Sequence, residues 1–101
     1  MLNKVDMVAV INAWLVDSGS ELSGRDFAVE LTESPSGRDP ASVWLLLESA
    51  EKIVELIAWT NGMVEVKSAN VASGEIASTS RELENISQFV NVVRDLVELL
   101  R

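Results

Sequence analysis

The sequence predicts an α+β domain: an N-terminal helix, an antiparallel meander of four to five strands, and a C-terminal helix packed on the sheet. Apolar residues recur at helical spacing near both ends of the chain and follow strand patterns in the middle. An Asn-Gly pair between two apolar runs marks a hairpin. Of the 101 residues, 48% are hydrophobic, so we expect one domain over 1–101 with a core of its own.

The first predicted element is an amphipathic helix over residues 3–17. Asn3 stands at the N-cap position, and Asp6 follows three residues later as in a capping box. Ser18-Gly19-Ser20 is expected to end the helix, because glycine readily takes the left-handed conformation found after a helix. The apolar face of this helix contains Met7, Val8, Ile11, Trp14 and Leu15.

Four strands are predicted in the middle of the chain. Residues 26–33 alternate between apolar and polar, whereas residues 41–49 and 52–60 are apolar on both sides. The strand over 63–69 follows Asn61-Gly62, which predicts a two-residue type I′ turn with positive φ at both positions.

The second predicted helix covers residues 80–100, with Thr79 and Glu82 as its capping box. The segment before it is rich in Ser and Ala after a tight turn at 72–75, and it predicts at most a short fifth strand over 75–78. The apolar stripe of the helix contains Leu83, Ile86, Phe89, Val90, Val93, Leu96, Val97 and Leu100.

The two central strands predict a sheet with two apolar faces. A two-residue hairpin at Ala50-Glu51 would align, on one side, Val43 with Ala58, Leu45 with Leu56, and Leu47 with Val54. The other side then carries Trp44, Leu46, Ile53, Ile57 and Trp59. Two arrangements stay open: both helices cover one face and leave the other to a partner or second copy, or the helices and loop 34–40 close both faces.

The tryptophans are the most prominent aromatic residues of the chain. Trp14 belongs to the apolar helix stripe and is assigned to the core. Trp44 and Trp59 share one sheet face, so they are either both beneath the helices or both exposed as binding residues. We favour the core for this pair.

Composition and charge exclude several kinds of function. With 16 acidic and 8 basic residues the net charge is −8, which argues against a nucleic acid as direct ligand because phosphate binding needs Lys and Arg. The sequence has no Cys and no His, so thiol chemistry, a Ser-His-Asp triad and the usual zinc sites are absent. No apolar run approaches the roughly 20 residues that span a bilayer, and no signal sequence is recognisable. We expect no cofactor, no metal, no membrane partner and a cytoplasmic location.

The candidate functional groups are carboxylates around the central strands. Glu55 could form an acid–base pair with Glu48 or Glu65, but we interpret these residues as a solvated sheet face and predict no enzymatic activity. Such a cluster would attract a basic partner, and the loop 33–40 is a natural contact segment. The predicted partner-binding residues are Glu33, Arg38, Asp39, Glu48, Glu51, Glu55 and Glu65.

Several segments resemble a known family. They are Phe27-Ala28-Val29-Glu30, Val43-Trp44, Ile57-Ala58-Trp59-Thr60-Asn61-Gly62-Met63-Val64-Glu65-Val66 and Ser73-Gly74-Glu75. Together with the helix–meander–helix order over residues 1–100, they are similar to the small immunity proteins of bacterial polymorphic toxin systems, especially the TriTu-like group. The resemblance implies a cytoplasmic protein that binds a cognate toxin domain and blocks its active site or substrate access. In the TriTu-like group the toxin resembles an ADP-ribosyltransferase.

The leading hypothesis is therefore an immunity protein, a monomer or weak homodimer, whose toxin is basic at the contact. The main alternative is an acidic type III secretion chaperone that binds an effector segment as a dimer. Such chaperones usually carry a helix between their strand groups, and the sequence predicts none over 26–78. Two further hypotheses are an adaptor that accepts a strand at its sheet edge and a nucleic-acid mimic.

Overall fold

The computed structural model describes residues 2–100 and confirms the predicted α+β architecture. Its elements are α1 (Lys4–Gly24), β1 (Ala28–Glu33), β2 (Ser42–Glu48), β3 (Lys52–Trp59), β4 (Met63–Asn70), β5 (Ile76–Glu82) and α2 (Ile86–Leu99). The strands form one five-stranded antiparallel sheet in the order β1-β2-β3-β4-β5, so each strand pairs with its neighbours in the chain.

Both helices pack on the same face of the sheet, which we call the helix face. Along β2 and β3, buried and more accessible residues alternate, and the buried ones join a single cluster with the buried residues of both helices. Its strand members are Val43, Leu45, Leu47, Val54, Leu56, Ala58 and Val64. Of the two arrangements that the sequence left open, the one with both helices on one side is therefore correct.

The register of the central hairpin agrees with the prediction. The aligned pairs are Val43–Ala58, Leu45–Leu56 and Leu47–Val54. Ala50 and Glu51 lie at the tip, where the Ser49 amide donates to the Lys52 carbonyl at 2.8 Å. This register determines which side chains the helices cover.

Helix α1 begins where predicted but ends later. The Asn3 side-chain oxygen accepts from the Val5 amide at 2.8 Å and from the Asp6 amide at 3.4 Å, which confirms the N-cap. The expected stop at Gly19 is wrong, since the helix continues to Gly24. A glycine inside a helix costs about 1 kcal/mol, whereas burying a leucine is worth about 1.5–3 kcal/mol. Extending the helix buries Leu22 in the core, at 3% exposure.

The left-handed residue that ends α1 is Asp26, with φ of 58°. The Phe27 amide donates to the Leu22 carbonyl at 3.0 Å, and the Asp26 amide donates to the Ser23 carbonyl at 3.1 Å. These two bonds form a Schellman motif, which satisfies carbonyls at the helix end and directs the chain into β1.

The boundary between β5 and α2 differs most from the prediction. Strand β5 covers residues that were assigned to the helix, so Thr79 and Glu82 do not form a capping box. The true N-cap is Asn85, whose side-chain oxygen accepts from the Gln88 amide at 3.0 Å. The Gln88 side chain accepts in turn from the Glu84 amide at 2.6 Å.

The β3–β4 hairpin lies at the predicted position, but its turn is not a two-residue type I′ turn. Only Gly62 has a positive φ, and its amide donates to the Trp59 carbonyl at 3.0 Å. Three residues, 60–62, therefore connect the strands. Gly62 is buried, and a Cβ there would overlap the Leu83 carbonyl oxygen. The Gly62 carbonyl also accepts from the Leu83 amide at 2.7 Å.

Two cations from other elements cap the C-terminus of α2, whose last turn has no basic residue. Arg25 Nη1 donates to the Leu100 carbonyl and Lys52 Nζ donates to the Leu99 carbonyl, each at 3.0 Å. Positive charge at a helix C-terminus is stabilising because the helix dipole is negative there.

Candidate partner-binding site

The sheet face opposite the helices carries the candidate site. We define the open face as the strand side chains that alternate with those of the helix face. They are Ala28, Glu30, Thr32, Ser42, Trp44, Leu46, Glu48, Ile53, Glu55, Ile57, Trp59, Met63, Glu65, Lys67, Ala69, Ile76, Ser78, Ser80 and Glu82. Within residues 2–100, no helix or further strand layer covers this face.

The centre of the open face is apolar. Trp44 is directly opposite Ile57, and Trp59 lies diagonally from Trp44 across the β2–β3 pair. Trp44 is 44% exposed and Trp59 is half-buried, so their assignment to the core is wrong. Trp14, at 9% exposure, is in the core as predicted. Both sheet tryptophans lie outside the core because both helices pack on the other face.

Carboxylates surround this apolar centre. The open-face acidic residues are Glu30, Glu48, Glu55, Glu65 and Glu82. Among the described residues, the cation on this face is Lys67. Lys67 Nζ lies 2.9 Å from Glu65 Oε1. The hydrogen bond to Glu65 and the negative charges of Glu65 and Glu55 raise the pKa of Lys67. Because its one cation is already paired with a carboxylate, the face as a whole presents negative charge.

A shallow depression of about 60 Å³ lies between β1 and β2 on this face, lined by Glu30, Thr32, Trp44 and Leu46. It combines a carboxylate, an indole ring and an aliphatic floor. Such a surface suits a side chain with an apolar stem and a cationic head, because the stem packs on Leu and Trp while the charge meets the carboxylate.

The structure brings together three of the predicted contact residues. Glu48, Glu55 and Glu65 lie on adjacent strands of the open face. Glu30 joins them from β1, opposite Leu46, although it was not among the predicted contact residues. Its alternation with Ala28 and Thr32 in the sequence was the signal that could have identified it.

The other predicted contact residues lie elsewhere. Glu33 is on the helix-face side of β1, and its Oε1 is 3.6 Å from Lys4 Nζ. Arg38 and Asp39 belong to the loop between β1 and β2, whereas Glu51 belongs to the turn between β2 and β3. Because β2 separates that loop from that turn, these residues lie at opposite ends of the sheet.

Neither a metal site nor a membrane-spanning helix is present among the described residues. Among residues 2–100, no three acidic side chains are grouped so that they could hold a metal ion. None of the helices in that range combines the length and apolar character needed to cross a bilayer. What the open face does provide is a broad apolar and acidic surface for a macromolecular contact.

The resemblance seen in the sequence agrees with a match to one known family. The family described as Immunity protein TriTu matches residues 9–99, a span that runs from within α1 through the whole sheet to the end of α2. No curated protein matches the sequence significantly. Since the matched span is nearly the entire chain, this protein belongs to the TriTu family of immunity proteins.

Proposed function

We propose that this immunity protein neutralises its cognate toxin by docking the open face over the toxin's active or substrate-binding site. Family membership implies toxin neutralisation in general. The observation that supports the open face as the contact is the exposure of Trp44, at 44%, within an uncovered acidic sheet surface. Exposed tryptophans are frequent hot spots of protein interfaces.

Charge complementarity supports occlusion of a substrate cleft. An enzyme that binds an anionic substrate lines its cleft with positive charge, and the open face carries the opposite sign. We propose that the toxin is an ADP-ribosyltransferase, as the TriTu-like resemblance implies, whose dinucleotide substrate carries a pyrophosphate. The immunity protein then acts in the cytoplasm by binding alone, without catalysis and without a cofactor.

The open face accounts for only part of the contact. A standard protein interface removes about 800 Å² of surface from each partner. Strands are spaced about 4.8 Å apart and rise about 3.3 Å per residue, so a five-stranded sheet with strands of this length measures roughly 20 by 23 Å in projection. This projected area is smaller than the surface that each partner contributes to a standard interface. We therefore expect the toxin contact to reach a strand edge or loop beside the open face.

A secretion chaperone is the less favoured alternative. Among residues 28–82 the described chain is a continuous meander without a helix between its strands. A net charge of −8 on each copy also opposes the dimer that such a chaperone would form.

The proposal is tested with the purified chain and the toxin domain encoded beside its gene. We expect a 1:1 complex on gel filtration, loss of toxin activity, and competition between the immunity protein and the toxin's substrate for the same site. Co-expression should rescue growth. A complex that leaves substrate binding to the toxin unchanged would contradict occlusion, and failure to form any complex would contradict the toxin pairing itself.

A further inference from the structure

Among residues 2–100, no element covers the outer edge of β5. β5 is the last strand of the sheet, and all seven of its residues, Ile76–Glu82, are exposed. It contains no proline, and residues 77–80 are small and uncharged. Edge strands are commonly protected by charges, prolines or bulges. β1, the other edge, is one residue shorter and carries Glu30 and Glu33, whereas the charges of β5, Arg81 and Glu82, stand together at its C-terminal end.

The hydrogen-bond pattern shows which main-chain groups of β5 point outward. At one end the Asn70 amide donates to the Glu75 carbonyl at 2.9 Å, and at the other the Leu83 amide donates to the Gly62 carbonyl at 2.7 Å. Bonded and non-bonded pairs alternate along an antiparallel ladder. The residues whose amide and carbonyl groups point away from β4 are therefore Ile76, Ser78, Ser80 and Glu82. The side chains of these residues belong to the open face, so the edge continues the proposed binding surface.

A groove of about 170 Å³ lies beside β5 on the helix face, between that strand and α2. Its polar lining comes from Thr79, Arg81 and Asp95, and its apolar lining from Val64, Val66, Val92, Leu96 and Leu99. The groove exists because the side chains that β5 directs toward α2 are too small or too polar to fill it. A strand added beyond β5 would direct alternate side chains to this side, where an apolar one fits.

We propose that an extended segment of the cognate toxin adds to β5 as a sixth strand, with an apolar side chain in this groove. This inference rests on the proposed toxin-binding function and names the part of the toxin that reaches beyond the open face. Side chains of the segment on the open-face side are neutral or basic, because they lie beside Ser78, Ser80 and Glu82.

Charge distinguishes a toxin segment from a second copy of this chain. Antiparallel pairing of β5 with β5 would build one continuous sheet and join two molecules with a net charge of −8 each. Their acidic open faces would lie on the same side of that sheet and repel each other. A basic or neutral segment of a different protein carries no such penalty.

Amide hydrogen exchange followed by NMR tests the added strand directly. In the free protein, the amides of Ile76, Ser78, Ser80 and Glu82 should exchange quickly, while those of Ala77, Thr79 and Arg81 are protected by β4. In the complex with the toxin domain, the first group should become protected at least tenfold. Unchanged rates in an inhibitory complex would overturn the added strand and leave occlusion standing. Concentration-dependent protection without toxin would instead assign the edge to a second copy and overturn the proposal.

A proline substitution removes one outward donor. Ser80→Pro should weaken toxin binding roughly fivefold to tenfold because it deletes a main-chain hydrogen bond, whereas Ser80→Ala, which keeps the main-chain donor, should weaken binding much less. Equal affinity of both variants, at equal melting temperature, would overturn the proposal. If Ser80→Pro does not fold, the exchange measurement on the wild-type complex decides.

Discussion

Trp44 and Ile57 lie directly opposite each other on the open face, while the adjacent pair, Leu45 and Leu56, is buried in the core at 1% exposure each. One hairpin therefore supplies both the centre of the core and the centre of the candidate contact surface. A single residue step along either strand separates a stability position from a binding position. This separation makes the two roles testable by substitution.

Trp44→Ala should weaken toxin binding and leave folding intact. Removal of a hot-spot tryptophan typically costs at least about 2 kcal/mol of binding energy, or roughly thirtyfold in Kd. The matched control is Trp14→Ala, which should destabilise the fold by about 3–5 kcal/mol because Trp14 is in the core at 9% exposure. Titration calorimetry and thermal unfolding measure the two effects. If Trp44→Ala binds toxin like the wild type, the tryptophan is not part of the contact.

Reversal of two open-face charges should slow association with the toxin and reduce its dependence on salt. Glu30→Lys with Glu48→Lys places two cations on the open face beyond Trp44, one on β1 opposite Leu46 and one on β2 four residues from the indole. The matched control, Asp17→Lys with Glu84→Lys, changes the net charge equally at exposed positions outside the open face. Electrostatic effects fall off over a Debye length of about 10 Å at 0.1 M salt, so the control pair should change the association rate and its salt dependence less than the open-face pair does. Equal effects of the two pairs in stopped-flow experiments at two salt concentrations would show steering by net charge alone.

The alternation of apolar residues was sufficient to predict the central hairpin, its register and the residues on each face. It could not predict which face the helices cover, because both faces of β2 and β3 are apolar. Exposure of Trp44 and Trp59 depends on that choice, which the packing of α1 and α2 decides. The carboxylates Glu48, Glu55 and Glu65 were identified correctly as neighbours across strands, since their positions follow from register.

The missed features are those that leave no hydrophobic pattern. β5 is exposed along its whole length and is held by main-chain bonds to β4, so its Ser- and Thr-rich sequence resembles a helix cap. Thr79 with Glu82 matches the capping-box pattern as well as the true cap at Asn85 does. The end of α1 was missed because Leu22, beyond the local break at Gly19, reaches the core only in the folded chain.

Lys67→Met should lower the melting temperature slightly near neutral pH, and the difference should disappear in strong alkali. The Glu65 hydrogen bond raises the pKa of Lys67 above its ordinary value of 10.5. A raised folded-state pKa contributes stability that is fully present below the ordinary value and is lost as pH rises through the folded-state value. Lys67→Arg is the control. Because arginine stays charged at high pH, the difference in melting temperature between Lys67→Arg and Lys67→Met should persist in alkali. Melting curves at about pH 8 and at increasing pH above 10.5 check this, and a constant offset between Lys67→Met and the wild type would contradict the ion pair.

Two glycine substitutions should change stability in opposite directions. Gly62→Ala should destabilise the fold by roughly 1–3 kcal/mol or more, because Gly62 has φ of 96° and a Cβ there would overlap the Leu83 carbonyl. Gly19→Ala should stabilise it by about 1 kcal/mol, since Gly19 lies within α1 and an added Cβ meets no other atom within 4 Å. Chemical denaturation of both variants measures the two changes. If Gly19→Ala destabilises the protein, the helix does not continue through that residue. If Gly62→Ala is neutral, the close approach between the β3–β4 turn and the start of the β5–α2 connection is absent.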